Sequence, residues 1–190
     1  MIDAALAVSP NLPSFRATSG RFRLDAGDHR VAAEVLDHLI RGWTGWARDW
    51  SWPLTLAETS EIVAGLEATE HAHVLADELG PYTGELVVVG GGILCLGAFD
   101  RYRGMMLNLL GRCDEAVAAL TAALALEDSV ESPPFTARTR YWLARALLQR
   151  ADRGDRERAA DELGRSIRTA DGLGMKGLAL AGRGLAEPGG

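Results

Sequence analysis

"LGRCDEAVAALTAALAL", residues 110–126, is the stretch on which the fold turns. Gly111 stands where one helix can end in a left-handed residue. Asp114 and Glu115 then fall in the opening turn of a second helix, where carboxylates complement its positive end. Val117, Leu120 and Leu124 follow at helical spacing with alanines between them. The unit is a helix, a tight turn and a second helix. It recurs as "AGDHRVA" (26–32) and "RGDRERA" (153–159), and in degenerate form as "LEATEHA" (66–72), with Glu67 in the place of glycine. An alanine stands five positions after each turn residue, at Ala32, Ala72, Ala116 and Ala159. The turn positions 27, 67, 111 and 154 are separated by 40, 44 and 43 residues.

A near-constant period of this kind predicts stacked helical hairpins. The expected architecture is all-α, a right-handed helical-hairpin solenoid forming one domain over residues 1–190. Hairpins are placed at 12–41, 51–79, 97–130 and 134–172, with 176–187 as the first helix of a fifth unit. The period exceeds the roughly 34 residues of the tetratricopeptide consensus, so helices or connectors should be longer. "SPNLP", "SWP" and "ESPP" precede first helices, where proline is tolerated. Apolar stripes are expected at Val31, Val35, Leu36 and Leu39, and again at Tyr141, Ala144, Leu147 and Leu148.

Composition narrows the class. Of 190 residues, 47% are hydrophobic and 24% charged, as in ordinary globular chains. The net charge of -6 argues against nucleic acid or anionic lipid as a partner. No apolar run is long enough to span a membrane, and "MIDAALAVSPNLP" lacks the basic start of a secretory signal, so a cytoplasmic location is expected. Two cysteines without CxxC spacing, Cys95 and Cys113, give neither a disulfide framework nor a zinc site.

The stretch "VVVGGGILCLG" (87–97) imitates a nucleotide loop and fails as one. Gly90 and Gly92 fit the first two glycines of the dinucleotide fingerprint, but Cys95 occupies the third. Gly92 and Gly97 have P-loop spacing, yet Ala98 and Phe99 stand where Lys and Ser/Thr must contact phosphate and metal. No cofactor is expected. The run reads as an extended connector whose glycines let one hairpin pack closely on the next.

The pieces "PYTGELVVVGGG" (81–92), "CLG" (95–97), "LGRCDEA", "ARTRYWLARALLQR" (137–150) and "GDRERAADEL" (154–163) together carry a resemblance. The chain resembles the C-terminal tetratricopeptide-like repeat region of large bacterial signalling ATPases. Some of those carry a nucleotide cyclase domain and others a helix-turn-helix. The likeness is weaker before residue 50, and no ATPase, cyclase or DNA-binding module is present in these residues. What it implies is a repeat scaffold used as a sensing or interaction surface.

Other candidate sites have plainer readings. "GWTGWARDWSW" (42–52) spaces Trp43, Trp46 and Trp50 as a helical stripe that seals the core between the first two hairpins. Glu34 and His38, one turn apart, and His71 and His73, two apart, offer no third metal ligand, so no metal site is expected. No nucleophile signature is present, and no catalytic residue is assigned. The arginine-rich part from 138 to 168 is interleaved with acids and reads as intrahelical pairing.

One stripe stands apart. Arg138, Trp142, Arg145 and Gln149 lie opposite Ala137, Tyr141, Ala144 and Leu148, with Arg101 and Asn108 expected beside them on the preceding inner helix. Arg101, Asn108, Arg138, Trp142 and Arg145 are therefore the candidate partner-binding residues. The expected function is a non-enzymatic interaction or regulatory scaffold for a protein, a peptide or a small effector, with self-association open. The rival is a small ligand-binding protein or enzyme of specialised metabolism on the same scaffold.

Overall fold

In a computed structural model, which describes residues 12–186, the chain is mostly helical, with one small two-stranded sheet. The helices are α1 (Pro13–Asp25), α2 (His29–Arg41), α3 (Trp52–Leu66), α4 (Ala72–Leu79), α5 (Phe99–Leu109), α6 (Cys113–Ser129), α7 (Pro133–Arg150), α8 (Asp155–Gly172) and α9 (Lys176–Ala186). Strands β1 (Leu86–Val89) and β2 (Leu94–Ala98) lie between α4 and α5. The helices fall within the predicted hairpin spans to within two residues. Residues 1–11 and 187, which those spans or the leader reading touch, lie outside the described part.

The predicted turn residues take the left-handed backbone: Gly27 (φ 79), Glu67 (φ 53), Gly111 (φ 71) and Gly154 (φ 87). The first three close with one pair of bonds. The turn N–H donates to the carbonyl three residues back, and the next N–H to the carbonyl five back, as in Gly111 to Asn108 and Arg112 to Leu107. Glu131 and Gly174, between hairpins, repeat the same pair of bonds. The Gly154 turn differs. Here α7 ends in left-handed Ala151, and Gly154 serves as the N-cap of α8. Arg150 holds the corner with a two-pronged bond to Asp155 at 2.8 and 2.7 Å.

The odd-numbered helices touch in succession, α1 on α3, α3 on α5, α5 on α7 and α7 on α9, and the even-numbered ones pack against them from behind. The α1–α3 contact is tight because α1 presents Ala17, Ser19 and Gly20. A Cβ at Gly20 would come within 2.8 Å of both Ile62 and Val35. The core runs through Leu36, Leu56, Ile62, Met105, Leu120 and Leu147, all at most 3% exposed. On α2 the buried set is Ala32, Leu36 and Leu39 rather than the expected stripe with Val31 and Val35, which are only half-buried.

Two readings need correction. The glycine run is no extended joint. Gly90, Gly91 and Gly92 have φ of 64, 67 and 100 and turn the chain so that Val89 pairs antiparallel with Leu94. A Cβ at Gly91 or Gly92 would meet nothing within 4 Å, so positive φ and not close packing requires glycine here. The tryptophans form no helical stripe either, because α2 stops at Arg41 and a single turn of 3-10 helix follows at Trp43–Gly45. Three of them still seal the core as expected. Trp43 and Trp52 lie 5.0 Å apart, 6% and 1% exposed, and Trp46 Nε1–H donates to the Leu39 carbonyl at 3.0 Å. Trp50 is 69% exposed.

Candidate functional site

Alternate helices line a cleft. Arg21, Phe22 and Asp25 come from α1, Glu58 and Glu61 from α3, Arg101 and Tyr102 from α5, and Phe135 and Arg138 from α7. This part encloses about 210 Å³. It adjoins a larger space of about 380 Å³ walled by Tyr141 and Trp142 of α7 and Lys176 of α9, and Arg138 borders both.

The cleft's foundation is a buried charge network. Arg101 Nη1 donates to Glu127 Oε1 at 2.8 Å, with the two side chains 2% and 0% exposed. Glu127 also accepts from the Ala98 N–H at 3.0 Å and from Thr139 Oγ1–H at 2.6 Å. Arg101 Nη2 donates to the Leu96 carbonyl and to Tyr102 Oη, and Tyr102 Oη–H donates to the same carbonyl at 2.8 Å. One carboxylate thus ties β2, α5, α6 and α7 together. Burial, against the pull of Arg101, pushes the Tyr102 phenol up to about 12, so it stays a neutral donor. Gly97 (φ 91) is demanded twice, since a Cβ would lie 2.7 Å from Glu127 Oε1.

Above this foundation the charges are unevenly matched. Arg21 pairs with Asp25 one turn along α1 and reaches Glu61 at 3.8 Å. Glu58 and Arg138, by contrast, have no hydrogen-bond or ion-pair partner among the described residues. Burial pushes the Glu58 carboxyl up to about 7. Arg21 and Arg138 oppose the shift, while Glu61 and Asp25 reinforce it.

The predicted surface residues divide. Arg101 is no surface residue, because Nη1 and Nη2 are taken up by Glu127, Leu96 and Tyr102 beneath the cleft and Nε is buried without a partner. Asn108, 3% exposed, is also inside. Its Nδ2 donates to Gln149 at 2.6 Å and so joins α5 to the end of the α7 stripe. Arg138, Trp142 and Arg145 are half-buried on one side of α7, and Gln149 is exposed. Arg145 lies over the Trp142 ring, 4.7 Å from its centroid, and contacts Glu67 at 3.5 Å. Trp142 packs on the core with one part and walls the larger space with another.

Sequence reasoning missed Glu58, Glu61, Glu127 and the α1 residues. Glu127 gave a signal, since it continues the buried spacing of Ala116, Leu120 and Ala123. Where arginines of the 138–168 region form ion pairs with helical residues, they do so between helices and not within one: Arg140 with Glu162 of α8, Arg145 with Glu67 at the end of α3, and Arg150 with Asp114 of α6 at 3.3 Å. Among the described residues no three His, Cys, Asp or Glu side chains gather to hold a metal ion, and no helix is long and apolar enough to cross a membrane.

No protein-family model, curated protein or solved structure significantly matches this chain.

Proposed function

We propose that this chain is a tetratricopeptide-like repeat module, of the kind found at the C-terminal end of large bacterial signalling ATPases. It would present the cleft along its first helices to a protein segment or small effector. The observation that supports this reading is the origin of the cleft walls. Apart from Leu96 of β2 and Met175 just before α9, they come from α1, α3, α5, α7 and α9, the opening helix of each hairpin, while the second helices stay behind. A right-handed superhelix of hairpins would line its concave side in this way. The exposed groups are charges and aromatic rings suited to holding an extended partner, and the role is presentation rather than chemistry.

The test is affinity capture from a bacterial extract on three immobilised proteins: wild type, Arg138→Glu in the cleft, and Arg156→Glu on the exposed side of α8. A partner held by wild type and by Arg156→Glu but lost with Arg138→Glu supports the reading. Capture indifferent to Arg138, or lost only with Arg156→Glu, overturns it.

The 210 Å³ recess favours a second reading, in which a small ligand is the primary occupant.

A further inference from the structure

Most charges around the smaller recess cancel. Arg101 is neutralised by Glu127, and Arg21 by Asp25 with Glu61 close by. Left without a direct partner among the described residues are one carboxylate and one guanidinium, Glu58 on α3 and Arg138 on α7, both lining the same space, while Asp25 and Glu61 together exceed Arg21 by one negative charge. Glu58 and Arg138 feel each other's charge. Yet no ion pair forms between them, which leaves a gap with one donor-only end and, once Glu58 is ionised, one acceptor-only end. Phe22, Tyr102 and Phe135 line the same space, with the Arg101 guanidinium 4.6 Å from the Tyr102 ring centroid and 5.5 Å from that of Phe135.

The volume limits what can enter. About 210 Å³ corresponds to roughly seven waters at ~30 Å³ each, below the ~300–1,000 Å³ of drug-sized pockets. A small molecule that carries both an ammonium and a carboxylate would satisfy both orphan groups at once. The excess of acids from Asp25 and Glu61 favours the ammonium end, and aromatic walls favour an apolar side chain beside it. A nucleotide or sugar phosphate would instead bring several negative charges next to three carboxylates.

We propose that the recess between Glu58 and Arg138 is a binding site for a free α-amino acid with an apolar or aromatic side chain. Its ammonium would bond Glu58, its carboxylate would bond Arg138, and its side chain would lie against Phe22, Tyr102 and Phe135. This rests on the reading of the cleft as the protein's working surface and names an effector for it.

The test is isothermal calorimetry on the full chain at about pH 8, where Glu58 is mostly ionised. The probes are L-phenylalanine and L-leucine, with phenethylamine and 3-phenylpropionate as analogues that keep one charge each. The expected result is saturable binding of at least one amino acid, at least tenfold weaker binding of both analogues, and a tenfold or greater loss in Glu58→Gln and in Arg138→Gln. Circular dichroism establishes that each variant is folded. A third variant, Arg156→Gln on α8, should bind as wild type does.

No heat from either amino acid at millimolar concentration would overturn the proposal and leave the recess to water. Equal binding of the single-charge analogues, or amino-acid binding untouched by both cleft variants, would overturn it as well. The reading of the cleft as a partner surface fails separately, when capture is insensitive to Arg138→Glu.

Discussion

Arg101 and Glu127 form an ion pair at 2.8 Å with almost no access to solvent, and the junction between β2 and α5 hangs from it through the Ala98 N–H. A buried pair contributes little net stability over an apolar replacement, but half of one is costly, because an uncompensated charge stays inside. Glu127→Leu alone should destabilise the protein by about 3–5 kcal/mol. Adding Arg101→Met should recover at least about 1 kcal/mol, although the Ala98 N–H and Thr139 hydroxyl remain orphaned in both variants. Urea unfolding of the two single variants and the double variant gives the coupling. Strict additivity would mean that the two side chains do not act as a pair.

Glu58 predicts a pH dependence with a definite sign. Its carboxyl titrates at about 7 in the folded protein against 4.5 for the free group, so the native state holds the proton more tightly between those values. The cost to folding is absent below about pH 4.5, grows as pH rises, and is complete above about 7. At about 1.4 kcal/mol per unit, trimmed for partial exposure, it reaches about 2 kcal/mol. Glu58→Gln should therefore be more stable than wild type by that amount at about pH 8 and equal to it at about pH 4. Urea midpoints across this range check it. A constant offset at every pH would place the effect in packing instead of ionisation.

The fold was legible where backbone chemistry leaves a mark. Helices end at residues with positive φ, glycine tolerates that best, and acids crowd the next first turn, so 27, 111 and 154 stand out, and 67 emerges from the spacing. Glu131 uses the same turn but is hidden, because nothing about a glutamate announces a left-handed backbone. The β-hairpin was half visible. β1 is an apolar run, but a bulge between Leu86 and Val88 spoils the register, and "LCLGA" lacks alternation. On α7 the contrast between faces is weaker than the spacing suggests: Arg138, Trp142 and Arg145 are half-buried rather than exposed, and Tyr141 and Leu148, expected inside, are half-buried too. Arg101 was misplaced because an arginine in the first turn of an amphipathic helix resembles any solvated one until its partner, 26 residues on, is seen. Glu58 in "LAETSEIV" gives no warning of burial, since what buries it is α1 and α7, not its neighbours in sequence.

Glu67 and Gly111 occupy equivalent turns, and their exchange should move stability in opposite directions. Glu67 holds φ 53 at a cost of roughly 1 kcal/mol for a residue with a Cβ. Its contact with Arg145 returns little, because the Glu67 side chain is 71% exposed and the distance is 3.5 Å. Glu67→Gly should raise stability by up to about 1 kcal/mol, or about 2–4 °C in Tm. At Gly111 a Cβ would approach nothing closer than Gln149 at 4.0 Å, so Gly111→Val isolates the backbone penalty and should cost roughly 1 kcal/mol or more. Calorimetric Tm values for both variants decide it. Losses of equal size in both would show that position 67 has found its own accommodation.

Trp142 is the residue on which stability and binding must be separated. Part of its ring packs on the core, Tyr141 meets it edge-on at 5.6 Å, and Arg145 covers a face at 4.7 Å. The remainder borders the larger space beside Arg138 and Lys176. Half-burial puts the folding cost of Trp142→Ala at about 2 kcal/mol, below the ~3–5 kcal/mol of a fully buried tryptophan. Arg145→Ala removes only the stacked cation and a loose ion pair, and should cost under about 1 kcal/mol. Trp142→Phe keeps an aromatic ring on the core side and should fold nearly as wild type, so it is the variant in which to read binding. If the cleft holds the partner, Trp142→Ala should weaken that partner by roughly thirtyfold, about 2 kcal/mol, with Trp142→Phe in between. Urea unfolding and calorimetric titration of the captured partner measure the two effects separately. Undiminished affinity in Trp142→Ala together with a collapsed unfolding midpoint would make Trp142 a packing residue and move the working face away from α7.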